Sequence, residues 1–470
     1  MTVPSILKTR GTLIVDGDGN KVLLKGAGLG GMLNMENFIT GFAGHEKEHK
    51  EILVEAIGQD KVDFFFDKFY DYFWSDADAE FYASLGLNTL RVPVNYRHFM
   101  DDDNPSVIKA EGFRLLDRVV ERCAKYGIYT IIDLHAAPGG QNQDWHSDSG
   151  SNLALFFEFK DFQDRVVQLW EAIAAHYKGN AWIAGYNPLN EPADPKHTRL
   201  WAFYVRVEKA IRAIDPDHIL FLDGNTYAGD FSHFGEPLPN SVYAIHDYAL
   251  FGFPGFEQFE GTAENHGKLQ RQFDRKVKEP FALDIPVWNG EFGPVYESSA
   301  NADAETINSK RYAMLNAQLG IYRKHNVGWS IWTYKDIGIQ GLVCTSPDSP
   351  WNRLVAPFVA KKQAVGADFW GGKPDDAHDE LLTALADDYA RVIPAKYHKV
   401  YYPPLWDIKR QIARVSREIV LSHYLAYEFA DLFKGKTLDE LDELAASFKI
   451  ENAVKRDALN EYLRADAALD

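Results

Sequence analysis

The sequence predicts an α/β fold: a closed (β/α)8 barrel of the TIM type, with an N-terminal β-hairpin and a C-terminal helical extension. Three observations carry this. Eight short apolar runs recur through the first three-quarters of the chain: "KVLLKGAG", "NTLRVPV", "YTIIDLH", "IAGYNPLNE", "HILFLDG", "SVYAIHDY", "IPVWNGEF" and "GWSIWTYKD". Between them lie amphipathic stretches of helical period, and strands that alternate with helices pair in parallel and are buried on both faces. Eight such units favour a closed ring over an open sheet. Finally, 470 residues at 46% hydrophobic and 14% aromatic content are enough to bury a large core.

The elements follow in order. "GTLIVDGDGNKVLLKG" places turn-forming residues between two strand-like runs, which predicts a hairpin covering the barrel floor. "FRLLDRVVERCAKYG" and "FQDRVVQLWEAIAAHYKG" are apolar at three-to-four spacing, each with glycine at the stop position. The rhythm ends near residue 350, so 1–350 is expected to form the barrel and 351–470 a helical extension packed on it. There, Ile408, Ile412, Val415, Ile419, Tyr424, Leu425 and Phe429 predict one apolar helix face with Gly435 as its stop, and Thr437 with Glu440 forms a capping box for another helix. A partner-binding module is the alternative use of that stripe.

Composition excludes several classes. A formal charge of −18 with no long basic run repels nucleic acid and anionic membranes. No window suits a membrane span or a secretory leader, so a cytoplasmic location is expected. The two cysteines, Cys123 and Cys344, are too few and too far apart for a disulfide framework or a thiolate metal site. No cofactor or metal is expected. Two motifs look suggestive in isolation. "GAGLGG" (26–31) fits a dinucleotide-binding pattern but is not followed by a clear helix or by the acidic residue that binding needs. "HEKEH" (45–49) fits a zinc-peptidase pattern, but its Lys/Glu-rich surroundings predict a solvated helix face.

Barrel chemistry sits at the C-terminal ends of strands. Here those ends carry Arg91, His135, Asn190, Glu191, Asp223, Asn225, His246, Tyr248, Glu291, Trp332, Lys335 and Asp336. Any one of them could be a local pairing, but gathering so many ionisable groups without a function would cost stability. Glu191 and Glu291 close the fourth and seventh runs. They are three βα units apart at roughly 30 residues per unit, which sets them facing across the barrel mouth. Paired carboxylates in a cleft suit glycosidic-bond cleavage, one protonating the leaving oxygen and the other attacking the anomeric carbon. Arg91 is the group best suited to keep one of them ionised.

The motifs "LRVPV", "DLHAAPGGQN", "NEP", "HDY", "GEFG" and the late Trp332 resemble glycoside hydrolase family 5, over roughly residues 20–340. The resemblance implies a retaining glycosidase in which Glu191 is the acid/base and Glu291 the nucleophile. It further implies that Arg91 orients Glu291, that Asn190 bonds the sugar 2-hydroxyl, and that His135, His246 and Tyr248 line the cleavage subsite. Trp332 would stack under the sugar. "DLHAAPGGQN" is most similar to the exo-β-1,3-glucanase branch, implying release of single glucose units from β-glucans, oligosaccharides or small β-glucosides. A steryl or ceramide β-glucosidase and a non-catalytic carbohydrate-binding barrel are the alternatives. The long first connection, "HEKEHKEILVEAIGQDKVDFFFDKFYDYFW", and the extension depart from that branch. The connection's aromatic run could wall a pocket closed at one end or pack as an ordinary apolar helix face.

Overall fold

The structure, a computed structural model, describes all residues except 1–3, 152, 299, 368–369, 371–375, 401–406 and 470. Eight parallel strands close into a barrel in chain order. They are β1 (Lys25–Gly28), β2 (Thr89–Asn95), β3 (Tyr129–Ala136), β4 (Ile183–Asn187), β5 (Ile219–Asp223), β6 (Ser241–His246), β7 (Val287–Glu291) and β8 (Gly328–Ile331).

Two-residue alternation sorts each strand. On β3, Ile132 and Leu134 join the core shared with the surrounding helices, while Ile131 joins the barrel interior. That interior is a floor of Leu24, Ile131, Ala184, Ile219, Phe221, Val242, Ala244 and Trp288, with Leu7 and Ile14 of the N-terminal hairpin packed into it. The hairpin therefore covers the floor, but its pairing differs from expectation. Lys8–Arg10 pairs with Leu13–Val15 around Gly11, and the expected partner run contributes only the isolated Val15–Lys21 bridge. Asp16 binds the amides of Asp18 and Asn20, and this tightens the second turn before a ladder can form.

The helices Ala110–Lys125 and Lys160–Tyr177 bury the predicted faces, and Gly127 and Gly179 follow them with positive φ, as the stop glycines required.

The two segments that depart from the resembled branch pack on each other. The first connection forms the helices Glu46–Ile57 and Gln59–Phe73. Its aromatic run faces the extension rather than a substrate: Phe65 stacks on Trp351, and Phe69 meets Phe448 edge-on with centroids 5.0 Å apart. His49 lies between Phe42 and Phe429. "HEKEH" is thus not a solvated face, because His45, Glu46 and His49 are all buried. Glu46 accepts hydrogen bonds from the Met35 amide and from Asn95, and so ties the connection to the end of β2.

In the extension, Ile408–Ala413, a π-helical segment Arg414–Leu421 and Ser422–Asp431 run continuously. The wider π turns rotate the buried stripe. Val415 and Tyr424, expected inside, are exposed, whereas Arg414, Ser422, Leu425, Ala426 and Phe429 are buried. The Thr437–Glu440 capping box is present. Beyond it, Ala453–Lys455 adds antiparallel to Val343–Thr345, and buried Asp466 of the last helix binds Lys25 of β1 and the Trp329 indole of β8. Among the described residues, no helix is long and apolar enough to cross a membrane.

Candidate active site

Above the apolar floor the inward positions turn polar. Arg91, fully buried on β2, organises them. Its Nη1 donates to Glu291 Oε1 at 2.5 Å, and its Nη2 reaches Asn190 Oδ1 at 2.6 Å, Asn187 Oδ1 at 3.2 Å and Asp133 Oδ2 at 3.1 Å. Tyr248 donates its hydroxyl to the other oxygen of Glu291 at 2.9 Å. Both Glu291 oxygens are thus held by hydrogen bonds, one from a guanidinium and one from a phenol.

Glu191 has a different setting. β4 ends at Asn187, four residues earlier than the apolar run suggested, and the chain reaches Glu191 in a left-handed conformation with φ 46°. A non-glycine residue there is held by its surroundings. Here the Glu191 amide donates to Asp223 Oδ2, Asn190 donates to Leu134 of β3, and Ala193 donates to Gln141. The Glu191 carboxyl lies between two imidazoles, with Oε1 2.7 Å from His246 Nδ1 and Oε2 3.3 Å from His146 Nε2. Burial raises its pKa, and the charge of Asp144 adds to the rise against the opposing His146 and Arg91. Burial also pushes His246 down to about 4. The two glutamates therefore lie a few ångströms apart in different settings, Glu191 between two imidazoles and Glu291 against a guanidinium and a phenol.

The remaining expected residues divide. His135 is oriented by Asp133, with Nδ1 2.7 Å from its carboxylate, and its ring lies parallel to Trp332 at 5.3 Å. Trp332 explains "GAGLGG": a Cβ on Gly28 or Gly30 would come within 2.6 Å of the indole, so the glycines let the ring lie against the β1 backbone. By contrast, Lys335 binds Asp78 and the carbonyls of Phe73 and Phe448, and Asp336 caps the turn at 338–340. Lys335 thus joins the extension to the barrel, whereas Asp336 serves its own turn. Asn225 binds the backbone of Asp194, outside the carboxylate pair.

Sequence reasoning missed Glu36, Asp133, Asn187 and His146. Glu36, in the loop after β1, lies 3.6 Å from His135, and burial with the charges of Glu291 and Glu191 raises its pKa well above the ordinary range. Asp133 lies two residues below His135 on β3 and Asn187 is the last residue of β4, and at both the alternation could have marked an inward side chain. His146 sits in the unusually long loop after β3, and that length was its only signal. Among the described residues, two groups could on distance alone hold a metal ion, Glu191/His246/Glu291 and the more exposed His197/Asp230/His233, each offering ligand atoms within 4.8 Å of one another.

Comparison with known proteins agrees with this geometry. Residues 58–338 match the family profile described as Cellulase (glycosyl hydrolase family 5). A protein named "Beta-xylosidase" from Phanerodontia chrysosporium is 51% identical over 469 residues, covering 98% of each chain. "Probable glucan 1,3-beta-glucosidase A" from Aspergillus clavatus is 25% identical, over 68% of this chain and 84% of its own. Among solved structures, an endogalactoceramidase shares the fold with a TM-score of 0.53 at 17% identity, over 71% of this chain and 75% of its own. With its barrel, its strand-end carboxylates and these matches together, the chain belongs to glycoside hydrolase family 5.

Proposed function

We propose that the chain is an exo-acting retaining β-glycosidase, with Glu291 as nucleophile and Glu191 as acid/base, and that its preferred substrates are β-xylosides. The observation that carries the mechanism is the spacing of the pair: oxygens of Glu191 and Glu291 lie within 4.8 Å of each other, with His246 Nδ1 between them. Retaining enzymes hold their carboxyl groups about 5–5.5 Å apart, whereas inverting ones need roughly 6.5–9.5 Å to admit a water.

In the first step Glu291, held by Arg91 and Tyr248, attacks the anomeric carbon while Glu191 gives its proton to the departing oxygen. In the second, Glu191 takes a proton from water, and that water releases the sugar from Glu291. Asn190, fixed by Arg91, presents its amide nitrogen toward His135 and is placed to bond the sugar's 2-hydroxyl.

The xyloside preference rests on the relative that shares 51% identity over nearly the whole chain, first connection and extension included. A β-glucoside preference is the second reading, favoured by "DLHAAPGGQN" and by the relatives named for 1,3-β-glucoside hydrolysis. Comparing kcat/KM on p-nitrophenyl β-xyloside and β-glucoside separates the two; a ratio above ten for the xyloside is expected, and the reverse ratio would transfer the assignment to glucosides. Proton NMR of the first sugar released should give the β-anomer. Initial α-anomer would sink the double displacement.

A further inference from the structure

The family match ends at residue 338, and Arg414 lies far beyond it in the extension. Yet this residue is buried, and it reaches the loop that carries His146. Its Nη1 binds Asp144 Oδ1 at 2.6 Å and Glu418 Oε2 at 3.2 Å, and its Nη2 donates to the carbonyl of Gln143. The guanidinium thus grips the loop at two consecutive residues, one by charge and one by backbone.

The loop passes that grip to Glu191. Asn142, one residue before the gripped pair, donates to the Glu191 carbonyl at 3.0 Å, and its amide nitrogen lies 2.7 Å from His146 Nε2. The Asp144 amide donates back to Asn142 Oδ1, and Ser147 closes the turn onto the carbonyls of Asn142 and Asp144. His146 Nε2 is then left 3.3 Å from Glu191 Oε2. The two oxygens of Glu191 are therefore oriented from different parts of the chain: Oε1 by His246 on the barrel, Oε2 by a loop that the extension clamps.

We propose that Arg414 is a positioning residue for the reaction, through which the C-terminal extension sets the Glu191 carboxyl by holding His146 against it. The inference rests on the acid/base reading of Glu191. Without the clamp, Asp144 keeps its charge but loses its cationic partner, the middle of the loop loosens between Gln141 and Asp148, which stay tied to the barrel, and the carboxyl can rotate away from the departing oxygen. Proton delivery suffers, while attack by Glu291 does not. A misplacement of about 1 Å is enough to cost two orders of magnitude in rate.

The test uses the full chain and the leaving-group dependence of kcat/KM, which reports the first chemical step. For the sugar turned over fastest, Arg414→Met should lower kcat/KM on the methyl glycoside 10- to 100-fold and on the dinitrophenyl glycoside less than threefold, because dinitrophenolate leaves without a proton. Arg414→Lys keeps the charge and loses the two-point grip, and should show the same split at roughly a third of the size. It also serves as the test should Arg414→Met not fold. Adding Arg414→Met to His146→Ala should cost less than threefold more than His146→Ala alone, since one residue acts through the other. Equal losses on both substrates, no loss on either, or additive losses in the double variant would overturn the proposal. Glu191→Ala is the control. A split there with none in Arg414→Met overturns this proposal alone; no split in Glu191→Ala overturns the acid/base reading and this inference with it.

Discussion

The imidazole of His246 stands between the two carboxylates, its Nδ1 2.7 Å from Glu191 and 3.6 Å from Glu291, with its Nε2 turned toward Asp223 at 3.6 Å. Because burial keeps this histidine neutral, a ring proton on Nε2 would face the Asp223 carboxylate and leave Nδ1 to accept the Glu191 proton. That arrangement keeps the proton on Glu191, whose pKa burial raises, while Glu291 is bound by Arg91 on the other side.

The two glutamates should therefore fail differently. Glu291→Ala should lose at least roughly 10⁴-fold in kcat on every substrate, because no other group can attack from that face. Glu191→Ala should lose about 10²- to 10⁴-fold on poor leaving groups while still reacting once with a dinitrophenyl glycoside. Intact mass should show one added sugar, mapping to Glu291, and azide should restore turnover as a β-glycosyl azide. A label on any other residue would remove Glu291 from its role.

Trp332 depends on the glycines beneath it. A Cβ at Gly28 would sit 2.6 Å from the indole, so Gly28→Ala must push the ring out of its place beside His135. Loss of roughly 10- to 100-fold in kcat/KM is expected, with secondary structure unchanged by circular dichroism. Activity within twofold of the parent would show that the indole's position is unimportant.

The seam between the first connection and the extension should carry substantial stability. Trp351 touches Phe65, Phe429, Phe433 and Phe448, and its indole N–H donates to Thr40 at 2.9 Å. Trp351→Ala should cost about 3–5 kcal/mol, read by denaturant unfolding. A cost below 1 kcal/mol would mean that the two segments are held together elsewhere.

His49, in the same seam, should make it sensitive to acid. Burial drives its pKa down to about 3, and the Lys50 and Lys362 charges add to the shift. An unfolded histidine titrates near 6.5, so between the two values the unfolded chain binds the extra proton, and stability is lost as pH falls from about 6.5 toward 3. His49→Phe keeps the stacking and removes this penalty. Relative to the parent, the variant should gain about 2 kcal/mol on going from pH 7 to pH 5, measured by chemical denaturation at both. A difference that does not change with pH would mean that the histidine is not buried neutral.

Much of the site could be read in the sequence because barrel geometry converts spacing into position. Arg91, His135, His246 and Glu291 lie on strands whose apolar runs and two-residue period declare both their ends and their inward faces. The Thr437 capping box and the stop glycines Gly127 and Gly179 were legible for a similar reason: they are local rules, satisfied within one helical turn. Glu191 was found as a residue but not as a conformation. Its left-handed φ is imposed by Asp223 and by the β3 loop, which no neighbour in sequence announces.

What only the tertiary structure decided lies in contacts between distant segments. Whether the aromatic run at 64–74 walled a pocket or packed as core could not be read from its period, since a helix presents the same face to either; Trp351, Phe433 and Phe448 decided it by supplying the partner surface. The π segment in the extension rotated the buried stripe, bringing Arg414 inward against Asp144 at a separation of 270 residues. Periodicity and propensity act over a few residues, so the chain's own order specified the barrel, its strand sequence and the facing pair of glutamates. The second histidine beside Glu191 and the arginine that holds its loop depend on how loops and helices far apart in sequence pack together, and that arrangement exists only once the fold has formed.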